Sequence, residues 1–302
     1  MTTKNDILRG SAPVDSATRI EQVLEDAVQA CEASDCAPQL LAAIRHAIFP
    51  GGARVRPRLT LAIAACCGGS DEELAVATAG AIELMHCASL VHDDLPCFDD
   101  AELRRGRPSV HKMFGERLAV LAGDAMIVMA FHTLARAAAT RPQRLAPLIM
   151  ALSEASGAAG GIASGQAWES EPAVPLRLYQ QQKTGALIVA AVRCGALAAG
   201  TDPAPWHAFA ARLGEAYQVA DDIRDVVAST EELGKPAGQD LAHARPSAVG
   251  EHGVAGACRY FDSLMEDALD SIPACPGSAQ LRILMRREAE RLLPARWARQ
   301  AA

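Results

Sequence analysis

Two short stretches of the chain crowd carboxylates together, Asp93-Asp94-Leu95-Pro96-Cys97-Phe98-Asp99 and Asp221-Asp222-Ile223-Arg224-Asp225. On a helix, Asp221 and Asp225 stand about 40° apart with Asp222 beside them, so the second stretch predicts one acidic face. Asp93 and Asp99 would not share a face of a continuing helix. Pro96 disfavours that continuation, which lets the chain curl and return Asp99 to the side of Asp93. One such cluster alone reads equally well as a solvated acidic turn. Two of them, with acids near a helix C-terminus where the dipole already disfavours negative charge, ask for a cation. Hard oxygen donors without cysteine or paired histidine select magnesium over zinc. Carboxylates repel phosphate, whereas magnesium held through one or two of them takes phosphate oxygens as its remaining ligands. The two motifs together predict a magnesium-dependent diphosphate clamp.

Cationic groups accompany both motifs. Arg54 and Arg56 follow a flexible turn in Gly51-Gly52-Ala53-Arg54-Val55-Arg56-Pro57, and Arg104-Arg105-Gly106-Arg107 follows the first acidic stretch. The planar guanidinium fork suits phosphate, although either cluster by itself is ordinary surface charge. His86 precedes Asp93 by seven residues and so falls near the same helical face, within reach of an anion below the metal site. As a lone histidine it is equally a satisfied core residue. Glu83-Leu84-Met85-His86 matches the Glu-x-x-His element of di-iron carboxylate bundles, but the second copy that such a site requires is missing.

Long helices are needed to position these groups, and the sequence supplies them. From Ser16 onward, apolar residues recur at three- and four-residue spacing through Ile20, Val23, Leu24, Ala27 and Val28. The same periodicity predicts helices over 16–31, 37–48, 55–67, 71–95, 115–139, 143–160, 175–199, 204–229, 247–270 and 277–292, broken at Gly/Pro stretches, with no convincing strand. Apolar residues make up 50% of the 302 and aromatics only 4%, the composition of closely packed Ala- and Leu-rich helices. An all-α fold is expected, as one domain over 1–302 with 1–15 a flexible N-terminus. The net charge of −7 argues against a nucleic-acid-binding surface. Nine cysteines are scattered without a C-x-x-C pair, which fits reduced thiols in a cytoplasmic protein. Met1 to Gly10 lacks an apolar signal core, and the longest apolar runs are too short or carry a charge such as Asp124 or Arg193, so no transmembrane segment is expected.

With these residues assembled, the chain resembles the trans-isoprenyl diphosphate synthases, and among them the bacterial geranylgeranyl diphosphate synthases of carotenoid and chlorophyll pathways. The resemblance runs from about Phe49 to Leu293. It rests on Gly-Gly-x-Arg-x-Arg-Pro at 51–57, the first aspartate motif followed by Leu-Arg-Arg-Gly at 103–106, and Gly-Gln at 165–166. Lys-Thr-Gly at 183–185, Tyr-Gln-x-x-Asp-Asp-x-x-Asp at 217–225 and Gly-Lys at 234–235 complete the set. It implies a homodimer of bundles of long antiparallel helices around a deep apolar cavity, with three magnesium ions joining the two motifs to an allylic diphosphate. Carried onto this chain, it implies that Asp93, Asp94, Asp99, Asp221, Asp222 and Asp225 form the metal-binding motifs, not all of them necessarily direct ligands. Arg104, Lys183 and Lys235 would hold the allylic diphosphate, and Arg56, His86 and Arg105 the isopentenyl diphosphate. Thr184 and Gln218, with Lys183 the catalytic set, would turn oxygens toward a developing cation.

The implied reaction is head-to-tail condensation of isopentenyl diphosphate with an allylic diphosphate. Ala88 stands where resembling farnesyl synthases carry an aromatic pocket floor, and Met85 lies three residues deeper. Three residues of helix rise about 4.5 Å, close to one isoprene unit, so moving the floor from Ala88 to Met85 predicts a C20 product. The alternative is that another helix supplies the floor and Ala88 decides nothing. Departures from the pattern are Ala53 in place of a lysine, whose contact is either absent or supplied by Arg54, Ala244-Arg245-Pro246-Ser247 in place of Gly-Lys-x-Thr, and Glu169 in place of an aspartate. A farnesyl diphosphate synthase and a non-catalytic regulatory subunit are the alternatives within the fold; a terpene cyclase would not need the isopentenyl diphosphate site.

Overall fold

The computed structural model describes residues 15–33, 35–49, 51–69, 71–228 and 247–294. Lys235, Arg245 and residues 1–14 of the N-terminal arm expected over 1–15 lie outside them. The amphipathic stripe that begins at Ile20 becomes α1 (Ser16–Glu32), burying Ile20, Leu24 and Val28. Pro38 opens α2 (Pro38–Ile48) where a missing N–H leaves no partner wanting. A left-handed residue, Arg54 (φ 49°), leads into α3 (Val55–Cys66).

At the centre lies α4 (Glu72–Asp93). Asp71 accepts from the Leu74 amide, and Glu72 and Glu73 occupy the first turn, where the helix dipole favours acids. From there the helix is apolar nearly all round, the pattern of a helix enclosed by others. It ends at Asp93, as Pro96 dictates. A short helix α5 (Val110–Phe114) precedes α6 (Glu116–Ala137), which packs along α4, and α7 (Pro142–Ser156) closes that side. The expected 143–160 helix stops at Ser156 because Gly157 takes an extended conformation.

The helix expected over 175–199 divides into α9 (Leu176–Gln180), a π turn (Gln181–Gly185) and α10 (Ala186–Ala199), and a short α8 (Ile162–Ala167) packs on the π turn. The expected 204–229 helix becomes a 3-10 turn and α11 (His207–Val227), which packs extensively on α12 (Ala248–Asp270). The chain ends its described part in α13 (Ser278–Leu292). The expectation of no strand needs correction. Leu103–Arg104 and Arg107–Pro108 pair as a minimal antiparallel ribbon, turned through Arg105 (φ 54°) and Gly106 (φ 74°). Two positive φ values in succession form the turn that matches strand twist, and two-residue strands are too short to leave periodicity in a sequence.

Among the described residues, two helices are long and apolar enough to cross a bilayer by length and composition, α4 and α6 with its 3-10 extension to Thr140. The first is the core helix of the bundle, mostly enclosed. The second turns part of its apolar surface outward.

Candidate active site

A cavity of roughly 850 Å³ runs down the bundle beside α4. Its rim carries Asp93, Arg104, Lys183 and Asp221, and further down its walls carry His86, Arg56, Ala88, Met85, Ile127 and Phe131. Met85 precedes Asp93 by eight residues, about 12 Å along the helix. On α6, Gly123 packs against His92, and the helices run antiparallel, so Phe131 lies at the depth of about residue 84. The apolar well therefore deepens past Ala88 to Met85 and Phe131.

The first acidic motif curls as its proline predicts. The Asp99 amide donates to the Asp93 carbonyl at 3.0 Å, and the Ala101 amide donates to the Asp94 carbonyl at 3.1 Å. Asp100, in left-handed backbone, is held on the outside by Lys112 at 3.1 Å and faces His111. The adjacent carboxylates divide their work. Asp94 is buried and receives the Arg104 guanidinium, whose Nε donates at 2.9 Å; burial raises its carboxyl above the usual range while Arg104 pulls the other way. Asp93 faces the cavity. Its Oδ1 is buried without a hydrogen bond and lies 3.3 Å from Lys183 Nζ.

The second motif departs from one uniform acidic face. Asp221 lines the cavity, whereas Asp222 turns inward and accepts from Gln180 Nε2 at 3.0 Å, Gln218 Nε2 at 2.6 Å and the Ala248 amide at 2.7 Å. A residue is rotated by about 100° from its helical neighbour, so Asp222 joins α9, α11 and α12 while Asp221 stays at the rim. Asp225 is buried. Among the described residues, no three His, Cys, Asp or Glu side chains converge into a ready-made metal cage. The donors nevertheless fit a hard cation: carboxylates from two helices face one rim, and one carries a buried oxygen with no hydrogen bond.

Lys183 and Thr184 reach the cavity from the π turn. Gly165 on α8 makes that approach possible, since a Cβ there would stand 2.3 Å from the Lys183 nitrogen. Glu169 collects Lys183 Nζ at 2.5 Å, Tyr179 Oη at 2.7 Å and Gln166 Nε2 at 3.0 Å, holding the lysine on the Asp93 side. The larger Glu169 thus serves where the resemblance expects an aspartate. Gln218 stands one helical turn below Asp222 and gives it an amide proton; it is not part of the cavity lining.

A second cationic set lies lower. Arg56 Nη1 donates to His86 Nε2 at 3.2 Å. Burial, and then the charges of Arg56, Arg105, Arg104 and Arg54, hold the His86 imidazole well below the usual histidine range. It is neutral, with Nε2 as acceptor. Arg105 passes over Gly52 and comes within 3.8 Å of buried Glu83.

Arg54 corrects the expectation attached to it. Its guanidinium is buried and spent on Glu21 at 2.7 Å, Glu83 at 2.8 Å and the Ile48 carbonyl at 2.9 Å. It cannot also supply the cation missing at Ala53. Glu83 is thereby bound to arginines, which disposes of the di-iron pattern. Sequence reasoning missed Glu83, Glu169, Gln180 and Phe131 as site-building residues; the first two were at hand as acids beside motif positions, while the others carry no signal in a single sequence.

The family described as polyprenyl synthetase matches residues 37–276. A geranylgeranyl diphosphate synthase of Cereibacter sphaeroides is 52% identical over 92% of this chain and 96% of its own length. Another, of Rhodobacter capsulatus, is 47% identical over 91% and 95%. Among solved structures, a geranyltransferase from Helicobacter pylori complexed with magnesium and isoprenyl diphosphate superposes with a TM-score of 0.77 at 29% identity, covering 93% of this chain and 100% of that one.

Proposed function

The chain belongs to the polyprenyl synthetase family and is a prenyltransferase, and from this we infer that it joins isopentenyl diphosphate to an allylic diphosphate, giving geranylgeranyl diphosphate and diphosphate. The observation that carries the reading is one cavity that combines acids and cations at its rim with an apolar well extending past Ala88 to Met85 and Phe131.

The family generally depends on magnesium. Asp93, Asp99, Asp221 and Asp225 would hold it, and the bound ions, three with substrate present, would supply positive charge to a departing diphosphate. Asp94 and Asp222 act at one remove, the first by fixing Arg104 and the second by joining three helices. Lys183 and Arg104, with Lys235 beyond the described residues, hold the allylic diphosphate as its carbon–oxygen bond ionises. Arg56, His86 and Arg105 hold isopentenyl diphosphate below, so that its double bond meets the allylic carbocation at contact distance. Thr184 directs its hydroxyl oxygen toward that cation, whereas Gln218, expected to do the same but outside the cavity lining, acts through its hydrogen bond to Asp222. The apolar walls exclude water, which would otherwise capture it. Proton loss to the released diphosphate ends each extension.

The enzyme works as a cytoplasmic homodimer. Free cysteines fit that compartment, and α6 carries an outward apolar face suited to a second copy. Purified protein supplied with magnesium, isopentenyl diphosphate and dimethylallyl, geranyl or farnesyl diphosphate in turn is expected to yield geranylgeranyl diphosphate as its main product, and none after chelation. A cyclic hydrocarbon, or no turnover with any primer, would reject this reading.

A further inference from the structure

Away from the cavity, the end of α3 touches the loop that leads into α13. The Gly277 amide donates to the Cys66 carbonyl at 3.1 Å, and a Cβ at position 277 would stand 2.6 Å from the Cys66 Cα. Only glycine permits so close an approach. Beside this backbone contact, Cys66 and Cys275 aim their thiols at one another with the sulfur atoms 2.9 Å apart, although they are separated by 209 positions in the sequence. The prenyl transfer chemistry uses neither. The Gly277–Cys66 hydrogen bond holds the two segments together with the sulfurs already in contact, so joining them calls for little movement.

We propose that Cys66 and Cys275 are a redox-responsive modification site, a dithiol that a peroxide converts to a disulfide tying α3 to the approach of α13. Cys275 is half-buried and Cys66 is buried, so the peroxide meets Cys275 first. Its sulfur attacks the peroxide, the O–O bond breaks, and Cys275 becomes a sulfenic acid with release of water. The Cys66 sulfur then attacks the Cys275 sulfur, its proton leaves with the sulfenic hydroxyl as a second water, and the S–S bond forms. One peroxide is reduced and two thiols are oxidised. Burial first, and then the neighbouring Cys275, push the Cys66 thiol up to about 12, so at neutral pH it stays protonated and waits for an electrophilic partner rather than reacting on its own. Its proximity to Cys275 substitutes for the nucleophilicity that burial removes.

The position gives the bond a purpose. On α13, Glu288 accepts the Tyr217 hydroxyl at 2.8 Å, and Tyr217 stands one helical turn before Asp221. A disulfide at the start of α13 fixes the element that supports the second aspartate motif from behind, without touching a substrate-binding residue. It closes a loop through most of the chain, the case in which a cross-link restricts the unfolded state most.

The test treats the full-length protein with hydrogen peroxide, blocks remaining thiols by alkylation, and maps the digest. A linked peptide pair containing Cys66 and Cys275, released by dithiothreitol, is expected, with a melting temperature raised by roughly 5 °C. Cys275→Ser should give neither the link nor the rise, and Cys97→Ser, at an exposed position, should keep both. Absence of the 66–275 link in peroxide-treated wild type, or a full rise in Cys275→Ser, would overturn the proposal; the peptide map needs no variant to fold.

Discussion

Arg54 and Arg56 stand two positions apart, with the same side chain, in one glycine-led motif, and the structure gives them opposite duties. Arg54 is enclosed by Glu21, Glu83 and the Ile48 carbonyl, whereas Arg56 opens onto the cavity beside His86. Arg54→Ala leaves Glu83 buried without its closest partner, so it is expected to cost about 3 kcal/mol or more of stability, read from denaturant unfolding. Arg56→Ala should leave the unfolding midpoint nearly in place and raise KM for isopentenyl diphosphate roughly tenfold or more, as loss of a charged hydrogen bond requires. His86 adds a pH dependence whose sign follows from its depressed folded value. An unfolded histidine takes up a proton near pH 6.5 that the folded imidazole refuses. Stability is therefore intact above about pH 6.5 and is lost as pH falls below it, because the unfolded state binds more protons there. Urea unfolding across this range should show a shallower loss in His86→Gln than in the wild type; equal slopes would show that the imidazole does not contribute.

Single helices turn these residues toward one another, and each depends on a local departure from regularity. Pro96 stops α4 so that Asp99 can return to Asp93, a feature legible in the sequence because proline acts through its own geometry. The π turn was not legible: Gln181 to Gly185 look like any other part of an amphipathic helix, and only the backbone of α8 pressed against Lys183 explains the extra residue. Gly165→Ala puts a Cβ where it meets the Lys183 nitrogen at 2.3 Å. Moving the turn by the order of 1 Å is expected to lower kcat/KM roughly a hundredfold, measured with the allylic primer as the varied substrate, while the helical circular dichroism is kept. On α4, Ala88 and Met85 both line the well, one helical turn apart. Ala88→Tyr raises the floor by about 4.5 Å and is expected to shift the main product from C20 to C15 in a product chromatogram. An unchanged C20 product would hand the length of the chain to Phe131 on α6 alone.

At the scale of the whole molecule, the all-α bundle was readable from helical periodicity, and the rim aspartates from their spacing. The partners of those aspartates were not. Asp222 takes the Ala248 amide and the Gln180 amide from elements far away in sequence, and Glu83 distinguishes two arginines through contacts that only folding creates. The surface carries its own message in α6. Val120, Leu121 and Val128 are 42%, 51% and 67% exposed on a helix whose opposite side packs against α4. Leu121 and Val128 are seven residues apart and so fall on one stripe, while Asp124 lies at its edge toward α4, 3.6 Å from His92. In the homodimer proposed above, an apolar stripe of this kind on an otherwise acidic protein would meet its own copy across a two-fold axis, with α6 of one subunit along α6 of the other. Sedimentation of the wild type is expected to give a dimer. Val128→Asp places a charge at the most exposed point of the stripe, where it faces its own symmetry mate or apolar surface, and should shift the protein to monomer with its helical content unchanged. A wild type that sediments as a monomer would leave this face without the partner its chemistry calls for, and would remove the dimer from the account of the enzyme.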